Sequence, residues 1–170
     1  MSDQISFFVP GIPKPQPRAR SFVLRGKGGK PILSKTGQPI LRVHEEGSAE
    51  NWKSLVAQFA KPFVPMPPHT GPLCMDVDFI FPRPKTHYRT NGQLKESAPA
   101  WHTIRPDCDN CRKAVEDALK VLGLFCDDCQ ICAGQTRKFY GVTPGAQVTI
   151  RVMVNGDLAV ERQRQTSLAL

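Results

Sequence analysis

Between Leu73 and Phe81 the chain alternates: Leu73, Met75, Val77, Phe79 and Phe81 are apolar, and Asp76 and Asp78 stand between them. A period of two puts the apolar set on one face of a strand and the carboxylates on the other, so the segment predicts a half-buried strand. Helical spacing occurs twice. Trp52, Leu55, Val56, Phe59 and Ala60 form one stripe, with Ser48 as a candidate cap and Pro62 as its stop. Cys111, Ala114, Val115, Ala118, Leu119 and Leu122 form the other, predicting a helix over about 109–122, with Gly123 placed to end it. Further strands are predicted over 4–9, over 128–138, and at Val148, Ile150, Val152 and Val154.

Between these elements the chain is punctuated by sixteen prolines and thirteen glycines without a G-x-y period, which excludes a collagen-like or fully disordered chain and assigns the surplus to loops. Pro10, Pro13, Pro15 and Pro17 forbid helix and require extended backbone. Residues 21–43 read as a hairpin or as a loop that orders on DNA, and 82–104 as a long polar loop. No internal repeat stands out. A length of 170 residues with 40% hydrophobic side chains suits one compact domain, here 1–156, followed by a frayed tail over 157–170. No stretch approaches the roughly 18 apolar residues of a membrane span, and the N-terminus lacks the basic and apolar regions of a leader, so a cytoplasmic protein with no membrane partner is expected.

The net charge of +8 points to a polyanionic partner, nucleic acid first. Its distribution sharpens this. Residues 1–43 hold eight basic side chains, among them Lys14, Arg18 and Arg20, against the single acid Asp3. Residues 106–132 invert the sign, with Asp107, Asp109, Glu116, Asp117, Asp127 and Asp128 against Arg112, Lys113 and Lys120. Clustered carboxylates repel a phosphate ligand unless a divalent cation lies between them. Pro106 biases Arg105 toward extended backbone, and in an extended segment Asp107 and Asp109 face the same side at the mouth of the next helix. Lys113 follows Asp109 by four residues on one helix face; a structural ion pair is the plain alternative for those two. Asp127 and Asp128 arrive at the start of a strand, where alternation admits one of them to the site. Such a set of hard oxygens suits Mg²⁺, or Mn²⁺ in its place, and phosphodiester hydrolysis, with Lys113 supplying positive charge near the scissile phosphate.

The run from Arg105 to Ile131, RPDCDNCRKAVEDALKVLGLFCDDCQI, resembles the signature of the RusA family of Holliday-junction resolvases. The upstream run PKPQPRAR from Pro13 to Arg20, the Arg83-Pro84-Lys85 loop with His102, and Arg137-Lys138-Phe139-Tyr140 resemble phage members as well. By position, the resemblance implies Asp107, Asp109 and Asp128 as metal-binding catalytic acids and Lys113 as the essential lysine, with Asp127 the adjoining acid. It also implies an α/β (α+β) subunit whose mixed sheet is flanked by two main helices, a two-fold homodimer, and Mg²⁺-dependent paired nicks across a four-way DNA junction. Lys14, Arg18, Arg20, Arg105 and Lys138 are then the expected DNA contacts, made to backbone phosphates rather than bases. Arg137 and Lys138 alternate, so one of the two is expected at the DNA. His102 reads as a loop histidine with proton transfer as the sharper alternative, and Phe139 and Tyr140 as core or edge residues before base-stacking ones.

One feature departs from the family. Cys108-x2-Cys111, Cys126-x2-Cys129 and Cys132 stand where apolar residues are usual. Six cysteines in a chain without a leader suggest metal or packing rather than disulfides, and paired C-x2-C elements are a structural Zn²⁺ pattern. Against zinc, Cys111 begins an apolar helix stripe, and the intervening helix separates the two pairs. The alternative functions are therefore a zinc-stabilised nucleic-acid-binding module without catalysis, or a nuclease acting on forks or flaps.

Overall fold

The computed structural model describes residues 4–17, 19–45 and 49–154. It is an α+β domain built on one five-stranded mixed sheet. Strand β1 (Gln4–Pro10) lies at one edge, and two short strands share the other. The expected half-buried strand is β4 (Leu73–Pro82), with its odd-numbered apolar side chains buried and Asp76, Asp78 and Ile80 half-buried on the opposite face. Strand β7 (Gly145–Val152) runs antiparallel between β1 and β4; it ends before Val154, which is exposed.

Helices α1 (Glu50–Ala60) and α2 (Cys108–Leu122) pack against each other and join the apolar face of β4 in a single core. The predicted stripes carry that packing. Trp52, Val56 and Ala60 are buried from α1, whereas Phe59 is 36% exposed at the edge of its stripe. Cys111, Ala114, Val115, Ala118 and Leu119 are buried from α2. Each buried aliphatic side chain contributes on the order of 1.5–3 kcal/mol, so this face fixes where α2 sits, and with it the charged residues on the rest of its surface. Ser48 lies outside the described residues; the cap position of α1 is Ala49, which makes no side-chain cap bond. Gly123 ends α2 as expected, in the left-handed conformation, with its N–H shared between the Leu119 and Lys120 carbonyls.

The single strand expected over 128–138 is instead three pieces: a 3-10 turn at Asp128–Gln130, strand β5 (Ile131–Ala133) and strand β6 (Thr136–Gly141), both strands parallel to β4. Gly134 makes the break. Its φ is +126°, and a Cβ there would stand 1.9 Å from the Met75 carbonyl oxygen, so only glycine lets the chain cross so close to β4.

Residues 19–45 project as a separate arm. Strands β2 (Ala19–Val23) and β3 (Leu41–Glu45) pair antiparallel into a two-stranded ribbon, which realises the hairpin reading. Beyond the ribbon come two small fingers, closed by bridges between Arg25 and Pro31 and between Leu33 and Pro39. A ring of backbone bonds joins them: Leu24 N–H donates to Ile40, Ile40 N–H to Ile32, and Ile32 N–H to Leu24, at 2.8–2.9 Å. Pro31-Ile32-Leu33 and Pro39-Ile40-Leu41 hold equivalent places in the two fingers, so the chain does contain a short repeat. Two units of so few residues, with different turns, leave too weak a period to notice in the sequence. The tail over 157–170 lies outside the described residues.

Candidate active site

Helix α2 and the acid-bearing turn after it are locked together by charge. Lys113 donates to the Asp128 carboxylate and lies 3.2 Å from Asp117 Oδ1, one helical turn along. Lys120, a further turn on, donates to Asp127 Oδ2 at 2.8 Å and to Asp128 Oδ1 at 3.3 Å. The bond from Lys113 and the one from Lys120 hold the Asp128 carboxyl below the usual carboxylate range. Lys120, backed by the Cys129 N–H, likewise holds the Asp127 carboxyl below the usual carboxylate range. Reciprocally, the Asp128 bond, with help from Asp117, pushes Lys113 up to about 12. Lys113, Asp117 and Lys120 stand at i, i+4 and i+7, a charged stripe away from the apolar one. That spacing is the signal by which Lys120 and Asp117 could have been found.

The turn itself is built by Asp127 and Gln130. Asp127 Oδ1 accepts from the Cys129 N–H at 3.0 Å, and Gln130 Oε1 accepts from the Asp127 N–H at 2.8 Å, a reciprocal capping box. Gln130 Nε2 also donates to the carbonyls of His69 and Gly71, tying the turn to the segment that leads into β4. Because this is a 3-10 turn and not a strand, Asp127 and Asp128 do not alternate across a sheet, and both reach Lys120.

Asp107 and Asp109 sit at the other end of α2. Asp107 occupies the N-cap position yet makes no side-chain cap bond, and Asp109 lies in the first turn, where the helix dipole favours an acid. Both are exposed. The expected extended pairing of these two gives way to a helix start, since α2 begins at Cys108.

A cleft of about 750 Å³ opens beside Asp107, between the proline segment and the end of β4. Lys14, Arg83 and Arg105 line it, and Asp107 is the one acid in its wall. Gln16 N–H donates to the Asn110 carbonyl at 2.8 Å, which pins the proline segment to α2. His102 forms part of the wall. It is buried, stacked on Phe81 with ring centroids 4.0 Å apart, and packed against Tyr140 at 4.8 Å. Burial, then the nearby Lys138 ammonium, pulls its pKa below the usual histidine value.

The other expected contacts divide. Lys14 and Arg105 are exposed in the cleft. Arg18 lies outside the described residues, as does the side chain of Arg20, whose backbone is in β2. Lys138 is turned inward: its ammonium donates to the Ile104 carbonyl at 2.8 Å and to that of Pro106, holding the segment that delivers Asp107. Arg137 faces the far side of the sheet in a two-pronged pair with Asp78, at 2.6 and 2.7 Å. Phe139 packs edge-on to Trp101.

All six cysteines are free. Cys111 is buried in the α2 stripe, where desolvation pushes its thiol up to about 12, while Cys126, Cys129 and Cys132 are exposed. Among the described residues, no three His, Cys, Asp or Glu side chains form a group that could hold a metal ion. Packing therefore accounts for Cys111, as a small apolar side chain. Asp107, Asp109 and Asp128 offer only carboxylate oxygens, donors of the right chemistry for a hard divalent cation, but they are not gathered into one such group here, and Asp128 is engaged by two ammonium groups that a cation would have to displace.

The RusA endodeoxyribonuclease family model matches residues 10–151, a span that includes the proline segment, the cleft, α2 and the acid turn. The chain belongs to the RusA family. It is also 31% identical over 151 residues to the uncharacterized protein YqaN of Bacillus subtilis strain 168, a match covering 88% of this chain and 96% of that protein. RusA membership makes the chain a DNA-cleaving nuclease, of a family that generally depends on a divalent metal. The described residues contain no helix long and apolar enough to cross a membrane.

Proposed function

We propose that this RusA protein is a Mg²⁺-dependent endonuclease that resolves four-way DNA junctions by paired symmetric nicks, acting as a two-fold homodimer. The observation that carries the reading is the bridge from Lys113 to Asp128. It joins the helix that begins with Asp107 and Asp109 to the turn that bears the third acid, at the positions the family resemblance assigns.

Asp107, Asp109 and Asp128 would hold the cation, which when bound polarises a phosphoryl oxygen and lowers the pKa of water. The protein's own groups do the rest. Lys113, which here donates to Asp128, would supply positive charge to the phosphate as negative charge grows on it. Lys120 keeps Asp127 and Asp128 oriented throughout. Lys14 and Arg105 draw the DNA backbone into the cleft beside Asp107 without reading bases. Lys138 acts from behind, holding the chain between Ile104 and Pro106. A C2 dimer suits a substrate with pseudo-two-fold symmetry, because two equivalent sites then meet two equivalent strands.

The test is cleavage of four-way, forked and linear DNA with and without Mg²⁺, for the parent protein and for Asp109→Asn. The parent should nick the junction only with metal, and Asp109→Asn should bind the junction but leave it uncut. Cleavage preserved in Asp109→Asn would refute the site; equal cleavage of forks or linear duplex would refute the junction preference. Sedimentation of the free protein as a monomer would remove the homodimer.

A further inference from the structure

We infer that the two fingers over 24–41 are a second DNA-contacting surface, gripping the sugar-phosphate backbone of a duplex arm apart from the catalytic cleft. The inference rests on the reading of the chain as a DNA nuclease but concerns residues the reaction does not use. Arg25, Lys27, Lys30 and Lys35 lie in this stretch, and no acid occurs from Gln4 up to Glu45. All four basic residues are exposed. Arg25 bonds the Gly29 carbonyl at 2.7 Å and so stiffens its own finger, while the three lysines stand at or beside the turns.

Shape supports the same occupant. The fingers are held by backbone bonds to one another, through the ring of Leu24, Ile32 and Ile40, and stand out on the β2–β3 ribbon. A ribbon of this kind is narrow enough to follow a groove of duplex DNA, and its cations gain by displacing condensed counterions from phosphates. Phe22, Leu33 and Leu41, 48–62% exposed, name the competing occupant, which is protein. A second copy would bring an identical all-positive finger pair against this one, so the polyanion is the better complement.

Two variants test it, with DNA binding measured in the absence of divalent metal so that the result is independent of catalysis. One carries Lys27→Gln, Lys30→Gln and Lys35→Gln together. The other replaces residues 25–39 with Asn-Gly, joining Leu24 to Ile40, which already share a backbone bond at 2.9 Å. The triple variant should lower the slope of log K against log salt by about 2–3, at roughly 0.9 per lost phosphate contact, and bind duplex and junction at least tenfold more weakly in dilute salt. Its single-turnover nicking rate at saturating enzyme should equal the parent's. An unchanged salt slope in the triple variant overturns the inference. So does a loss of subunits from the sedimenting species of the shortened variant, beyond the mass of the deleted residues, which would assign the fingers to a protein partner. A parent that binds with the expected slope change but cuts no DNA under any metal would sink the nuclease reading and leave this one standing.

Discussion

Gln130 reaches 61 residues back along the chain to donate a hydrogen bond to the His69 carbonyl, at 2.9 Å. The same amide donates to Gly71 and accepts from the Asp127 N–H. One side chain thus fixes the turn that carries Asp127 and Asp128 against the entrance to β4, while Lys113 and Lys120 fix it against α2.

Gln130→Ala removes all three bonds and leaves half-buried backbone groups unpaired. A loss of about 1–3 kcal/mol is expected, read as a lower urea midpoint with an unchanged slope. Gln130→Glu keeps the acceptor for Asp127 but turns both donors into acceptors facing carbonyls, so it should be at least as destabilising.

Gly134→Ala meets a harder obstacle, because the new methyl group falls on the Met75 carbonyl and the backbone is already at positive φ. The cost should exceed about 3 kcal/mol, by steric overlap added to strain. Circular dichroism melts should show either a large drop in Tm or no cooperative transition.

Lys138 separates two roles. If it serves mainly to hold the Ile104 and Pro106 carbonyls, Lys138→Ala should lower stability by about 1–2 kcal/mol, as for lost charged hydrogen bonds. Nicking at saturating DNA should then slow while the salt slope of binding stays put. A slope reduced by about 1 would instead mark a direct phosphate contact.

His102 gives the pH dependence. Its folded pKa lies below 6.5, so the unfolded chain takes up the proton first as acid is added. Stability contributed by the neutral ring is complete above pH 6.5 and falls as the pH drops through 6.5 toward the folded value. His102→Phe keeps a ring against Phe81 and Tyr140 and removes the titration. Urea midpoints measured from pH 7.5 to 5 should therefore fall less in the variant than in the parent. Asp127 and Asp128, already depressed, lose their share only below 3.8, outside this window.

The sequence by itself determined the periodic elements. Alternation from Leu73 to Phe81 and the stripe from Cys111 to Leu122 are local consequences of burying one face, and both occur as read. The resemblance of Arg105 to Ile131 to the family signature pointed to the RusA family, whose model matches residues 10–151, and offered Asp107, Asp109, Lys113 and Asp128 as the proposed site by position alone. Tertiary structure decided what depends on a partner distant in the chain. Gly134 breaks the expected strand because Met75, on another strand, leaves no room for a side chain. Lys138 turns inward because the Ile104 and Pro106 carbonyls lie beside it. Lys120 joins the acid pair because the turn after Gly123 folds back on α2, and the two fingers close through bonds among Leu24, Ile32 and Ile40. Periodicity records which face is buried, but not which groups meet there, because those meetings are set by how packed elements lie against one another.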